Sequence, residues 1–249
     1  MPRSYLILNS KSQTLENYLD YLDSSSSVRK NNLRDLKYSI DKESNIKYKF
    51  SLARTSLPII YAHYEGFLKD CFNELMRILS DCGEHNNINF LIFNIVTKLD
   101  ENVKAQHKRA NKLLNIFNEL TEKNNYLYNF KASEYALGFD SIDYTFDLLK
   151  LDNPFKDYTN YNELKEICTR ARIDPLIQIK NLYDKRCAIA HGNLETKCNQ
   201  LYSVIPNKDL TENQVNNVIV DWDINYNFIL VSLDAYKNSF YSYLEQFIN

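Results

Sequence analysis

Apolar positions recur every three to five residues along most of the chain, the spacing of one face of an α-helix. Residues 1–13 read as a loose leader. A short amphipathic stretch then opens at Thr14, with Leu15, Tyr18 and Leu22 on one face, and the run Ser24–Ser27 is expected to interrupt it. A second helix follows, with Val28, Leu33, Leu36 and Ile40 inward and Arg29, Lys30, Arg34 and Lys37 outward. The next stripe is long. It runs from Phe50 through Ala53, Leu57, Ile60, Tyr61, Tyr64, Phe67, Leu68, Cys71, Leu75 and Ile78 to Cys82, with Pro58 expected to bring a kink or a fresh start capped by Ser56.

The pattern continues with helices over 86–98 and 101–122, an aromatic, aperiodic stretch over 124–140, and short helices from Ser141 and Thr159. Asp174-Pro175 is a strong helix start, an N-cap followed by proline at the first helical position. That helix is expected to reach Ala190 and stop at Gly192. Residues 193–210 read as a connector. The last helix begins near Thr211, whose partner Gln214 completes a capping box. Its seam is Trp222, Tyr226, Ile229, Leu233, Tyr236, Phe240, Tyr243 and Phe247, alternating steps of four and three. No internal repeat or linker divides the chain, so residues 1–249 read as one all-α domain.

Composition supports the helices. Only 4 Gly and 5 Pro occur in 249 residues, far below the roughly 12% of an average chain. Sheet-rich and doubly wound folds need more turn residues than that. The same shortage removes the glycine-rich phosphate loops and the nucleophile elbow, so no nucleotide cofactor is expected. No apolar run approaches the length of a membrane span, and the short apolar stretch at the N-terminus is too brief for a signal peptide, which points to the cytoplasm. The 5 cysteines, Cys71, Cys82, Cys168, Cys187 and Cys198, are scattered without a C-x-x-C pair and read as reduced thiols, not metal ligands. The net charge of −2 gives no bulk argument for a polyanion partner, so any such site is local.

Acid–base chemistry near neutral pH reduces to four histidines. His85 sits in a polar turn. His107 lies within a helix whose Lys104, Lys108 and Lys112 align on one face, either a solvated surface or one that contacts phosphates. His191 ends the segment Arg186–Gly192 (RCAIAHG), where Arg186 and His191 stand as R-x4-H. Nine Arg and four His make that spacing common by chance, and a His beside a glycine stop also suits a helix C-terminus. His63 lies in Tyr61–Phe67 (YAHYEGF), where Gly66 costs about 1 kcal/mol relative to Ala in a helix. A glycine there implies a close approach, by a neighbouring helix or by a ligand.

The segments Arg186–Gly192 and Leu52–Lys69 (LARTSLPIIYAHYEGFLK) together resemble the HEPN superfamily, and within it a bacterial group of HEPN-like nucleases. The first matches the R-x4-H signature. The second matches that group's A-x-x-x-[IL]-P-[IL]-x-Y-A-H-[WY]-E-G-F block. The resemblance implies an all-α HEPN-like helical bundle with extra N-terminal helices and a long C-terminal helix. It implies a homodimer that cleaves RNA without a metal or other cofactor, at a site drawn from both protomers, in a toxin–antitoxin or anti-phage setting. A regulating antitoxin or ATPase is the expected partner protein. Arg186 and His191 carry over as catalytic residues, His63 and Glu65 as supporting ones, with Glu65 expected to pair with Arg186. Cys187 departs from the pattern, which places a polar residue, often Asn, after the Arg. That departure favours an alternative, a catalytically weak subunit that binds RNA or a protein.

Overall fold

The computed structural model describes residues 3–81, 146–147, 150–191, 202 and 210–248. Among them are five α-helices and no strand, an all-α fold: α1 (Arg3–Lys42), α2 (Ile46–Asp81), α3 (Asn162–Ala171), α4 (Pro175–Ala190) and α5 (Glu212–Ile248). A 3-10 turn, Tyr158–Asn160, precedes α3. No helix among the described residues is long and apolar enough to cross a membrane. The helices expected over 86–98 and 101–122, the stretch 124–140 and all of the 193–210 connector except Tyr202 and Leu210 lie outside the described residues. So do the helix start expected at Ser141, the Lys104, Lys108 and Lys112 face, His85, His107, Cys82, Cys198 and Gly192.

Three starts differ from the expectation: α3 begins at Asn162, three residues after Thr159, which lies in the 3-10 turn, and the other two differ more. α1 begins at Arg3, not Thr14, and runs unbroken through the serines for 40 residues. Each serine costs only about 0.5 kcal/mol of helix propensity, which tertiary packing outweighs. Because the helix does not restart, its register continues from Tyr18 and Leu22 through buried Ser26 to Leu33 and Ile40. Val28 therefore faces solvent at 56% exposure instead of inward, and Arg29, Lys30 and Lys37 sit half-buried on the flank of the apolar face. α2 likewise passes through Pro58 without a new start. Its cap is Asn45, whose Oδ1 accepts from the N–H groups of Lys47 (3.0 Å) and Tyr48 (3.3 Å). Ser56 is a buried core residue instead, donating to the Ala53 carbonyl at 3.0 Å.

The other local signals hold. Asp174 caps α4 through Oδ1, which accepts from the Ile177 N–H at 3.0 Å, with Pro175 at the first turn. Thr211 and Gln214 form the capping box of α5: the Thr211 N–H donates to Gln214 Oε1 at 2.9 Å and the Gln214 N–H to Thr211 Oγ1 at 3.3 Å. Where α3 ends, Arg172 takes the left-handed conformation (φ 54°) that glycine usually supplies. A chain this poor in glycine places an ordinary residue there.

The chain packs as two compact units. The first, residues 1–20, 69–152 and 240–249, has an aromatic knot in which Phe72, Phe146 and Phe240 meet edge to face at 5.0–5.6 Å. In it Tyr18 donates to the Cys71 carbonyl at 3.3 Å.

The second unit, residues 21–68 and 153–239, contains the histidine-bearing segments. Its core is the α5 seam Trp222, Tyr226, Ile229, Leu233 and Tyr236, all buried as the heptad spacing predicts. Phe155 stacks between Tyr64 (5.9 Å) and Phe228 (5.2 Å). Beside it the Tyr64 hydroxyl donates to that of Tyr236, which donates to Asn153 Oδ1, each at 3.3 Å. Trp222 Nε1 donates to Ser56 Oγ at 2.9 Å and joins α5 to α2. Salt bridges Lys37–Asp223 (2.7 Å), Lys237–Asp23 (2.6 Å) and Lys30–Asp234 join α1 to α5.

Ser56→Ala removes the acceptor for a fully buried indole N–H and is expected to cost about 1–3 kcal/mol. Thr55→Ala, one position along on the exposed side, should stay within about 0.5 kcal/mol of the parent. Urea denaturation of the two variants checks the contrast.

Candidate functional site

Over Tyr61–Gly66, α2 has two flanks at the edge of its buried stripe, with Tyr61 buried and His63, Glu65 and Gly66 half-buried. Residues four apart share a helix face, so Tyr61 and Glu65 line one flank, and His63 and Gly66, three apart, line the other. Each flank receives an arginine from a different helix.

Arg186 of α4 reaches the first flank. Its Nη2 lies 3.9 Å from Glu65 Oε2. Its Cζ lies 5.6 Å from the ring centre of Tyr61 and 5.8 Å from that of Tyr183. The two tyrosines meet edge to face at 5.5 Å, so the guanidinium lodges in the corner they make. Cation–π contacts of this kind contribute about 0.5–2 kcal/mol each. Nη1 approaches Cys187 Sγ at 3.7 Å. These contacts hold the guanidinium at long range, and its planar fork of donors suits a phosphate. Burial, then the Glu65 charge, pushes the Tyr61 phenol well above its usual range, with Arg186 opposing. Tyr61 therefore stays protonated at neutral pH, and its ring serves as a platform for the guanidinium.

Arg29 of α1 reaches the second flank. A Cβ built on Gly66 would stand 2.7 Å from Arg29 Nη1, 3.0 Å from Nη2 and 3.1 Å from Cζ. This is the close approach that the glycine implied, made by a side chain of the adjoining helix. Burial and then the Arg29 charge lower the pKa of half-buried His63. His63 is thus placed with Arg29, while Glu65 is placed with Arg186.

His191 ends α4. Its backbone N–H donates to the Cys187 carbonyl at 3.0 Å, and the residue is exposed. Arg186 and His191 stand about 140° apart around an ideal helix axis, so they do not share a face within one chain. Cys187 is half-buried, and none of Cys71, Cys168 and Cys187 is in a disulfide. Among the described residues no group of three or more His, Cys, Asp or Glu gathers closely enough to hold a metal ion.

Two neighbours escaped the sequence reading. Tyr183 lies three residues before Arg186, and that helical spacing signals it. Arg29 is remote in sequence, sits at a position whose spacing predicts an outward face, and carries no local signal.

The lowered pKa of His63 has a consequence for stability. The unfolded chain binds the proton more tightly, so the contribution is full above the ordinary histidine range and is lost as pH falls through the folded-state value. Between pH 7 and pH 5 the parent protein should lose more thermal stability than His63→Gln, and parallel melting curves check it.

The RiboL-PSP-HEPN family model matches residues 24–222, well over half of the chain. No curated protein and no solved structure gives a significant match. The matched span takes in α2 with its YAHYEGF segment, α4 with Arg186 and His191, and the start of the α5 seam. By this match and by its all-α fold, the chain belongs to the RiboL-PSP-HEPN family.

Proposed function

We propose that this protein is a metal-independent endoribonuclease acting as a homodimer. Membership in a HEPN family suggests either RNA cleavage or RNA binding. The observation that carries the cleavage reading is Arg186 lodged on Tyr61 and Tyr183 beside Glu65, on the helix that ends at His191. RNA supplies its own nucleophile. His191 takes the proton of a 2′-hydroxyl, the 2′-oxygen forms a bond to phosphorus, and the P–O5′ bond breaks, leaving a 2′,3′-cyclic phosphate. A second His191, from the other protomer, gives a proton to the departing 5′-oxygen. Arg186 stabilises the charge that builds on the phosphate oxygens, and Glu65 keeps its fork in place. The wide angle between Arg186 and His191 on α4 favours a site completed by a second copy. His63 supports the opposite flank of α2. In this reading the protein is a toxin or anti-phage effector of the cytoplasm, held silent by an antitoxin or ATPase.

A second reading rests on Cys187, a weak hydrogen-bonding group next to Arg186. There the protein binds RNA, or a protein partner, without cutting.

Purified protein should cleave RNA in EDTA and leave 2′,3′-cyclic phosphate ends. His191→Ala should lose at least about 100-fold of that activity. Equal rates for the two would refute the nuclease reading. If Cys187→Asn gains activity over the parent, the site is a weakened one and the binding reading prevails. If it gains nothing, the thiol is no handicap.

A further inference from the structure

We infer that Asp221 is a positioning residue for the candidate site, because its carboxylate ties down the chain on both sides of His191. The inference rests on the proposed roles of Arg186 and His191. Lys185, which precedes His191, places Nζ 2.7 Å from both Asp221 oxygens. Tyr202, which follows His191, donates its hydroxyl to Asp221 Oδ2. Tyr202 is fully buried, and its ring centre lies 5.8 Å from the same Lys185 Nζ. One carboxylate therefore anchors the end of α4 and the far side of the segment that leaves it.

The hub is braced from α5. Asn225, fully buried, donates Nδ2 to the Asp221 carbonyl at 2.7 Å and to Oδ2 at 3.2 Å. Its Oδ1 accepts from Gln178 Nε2 at 2.8 Å. Gln178 and Lys185 lie two turns apart on one face of α4, so α5 holds that helix at two levels. Lys185 and Arg186 are consecutive and point about 100° apart. Seating Lys185 on Asp221 thus sets the direction in which Arg186 leaves the helix, toward Tyr61 and Glu65. A buried ion pair of this kind is weak evidence for stability, since apolar replacements often do as well. Its directional contacts instead fix one register, which a site built on α4 needs.

The variants are Tyr202→Phe, Asp221→Asn and the paired replacement Lys185→Met with Asp221→Leu. Two readouts apply: amide hydrogen exchange at Cys187–His191, and kcat and KM on RNA. Tyr202→Phe keeps its burial, and should lower the exchange protection of these amides and kcat each by about tenfold, with KM within about twofold. The paired replacement should recover parental thermal stability but not kcat or protection. Breaking the exposed Lys237–Asp23 pair by Lys237→Met should change neither readout. The inference is overturned if Tyr202→Phe or the paired replacement keeps parental protection at Cys187–His191. Should Asp221→Asn fail to fold, those two variants decide alone. If the parent protein does not cut RNA, the nuclease reading falls, while the exchange data still decide whether Asp221 holds this segment.

Discussion

The unit that holds the site is organised around α5, which α1, α2 and α4 all contact. The buried seam from Trp222 to Tyr236 supplies the apolar area, but by itself such a seam is non-directional and would tolerate sliding. Polar contacts at intervals remove that freedom. Trp222 bonds Ser56 of α2, Asn225 bonds Gln178 of α4, Asp223 and Asp234 pair with Lys37 and Lys30 of α1, and Tyr236 joins Tyr64 to Asn153. α1, α2 and α4, the three helices that bring a residue to the site, are thus registered against the same rod. Those contacts bring Arg29, Glu65 and Arg186 together, and the Glu65–Arg186 pair and the tyrosine rings then hold the guanidinium.

The polar contacts differ in what they contribute. The Trp222–Ser56 bond lies in the fully buried core, where an orphaned donor would be costly. The α1 pairs are partly exposed and individually weak. The Asp221 hub is intermediate: Lys185 is 9% exposed, and its partner carboxylate is more open. Strong non-directional burial thus coexists with modest directional contacts. Stability comes mainly from the first and alignment from the second.

What was legible in the sequence was local or periodic. The Asp174 cap, the Thr211–Gln214 box and the aromatic seam depend on residues within a few turns of one another, and the spacing alone carries them. Tertiary context overrode weak local signals elsewhere. Four serines read as a break, yet Ser26 lies in the buried stripe of α1, and the uninterrupted register moved Val28 to solvent. Pro58 read as a start, yet α2 continues, because the flanking residues from Phe50 to Phe67 are buried along one stripe and hold it helical. Of the candidate site, the two segments and the Glu65–Arg186 pairing were expected from a family pattern. The contact of Arg29 with Gly66 and the Lys185–Asp221–Tyr202 hub were not, since they join residues far apart in sequence.

Lys185 and Arg186 show how closely this arrangement depends on rotation. Two adjacent cations on one helix have opposite fates: one is consumed inside the fold by a carboxylate, the other is presented on a pair of tyrosines. Nothing about their chemistry assigns those fates, since either could pair with Asp221. The assignment is a phase. Removing one residue between the Asp174 cap and Lys185 would turn the end of α4 by about 100°, bringing Arg186 to the place of Lys185 and carrying Lys185 on to the place of Asp184. The length of α4 from its cap to Lys185 is therefore information, specified as firmly as any side chain in the site.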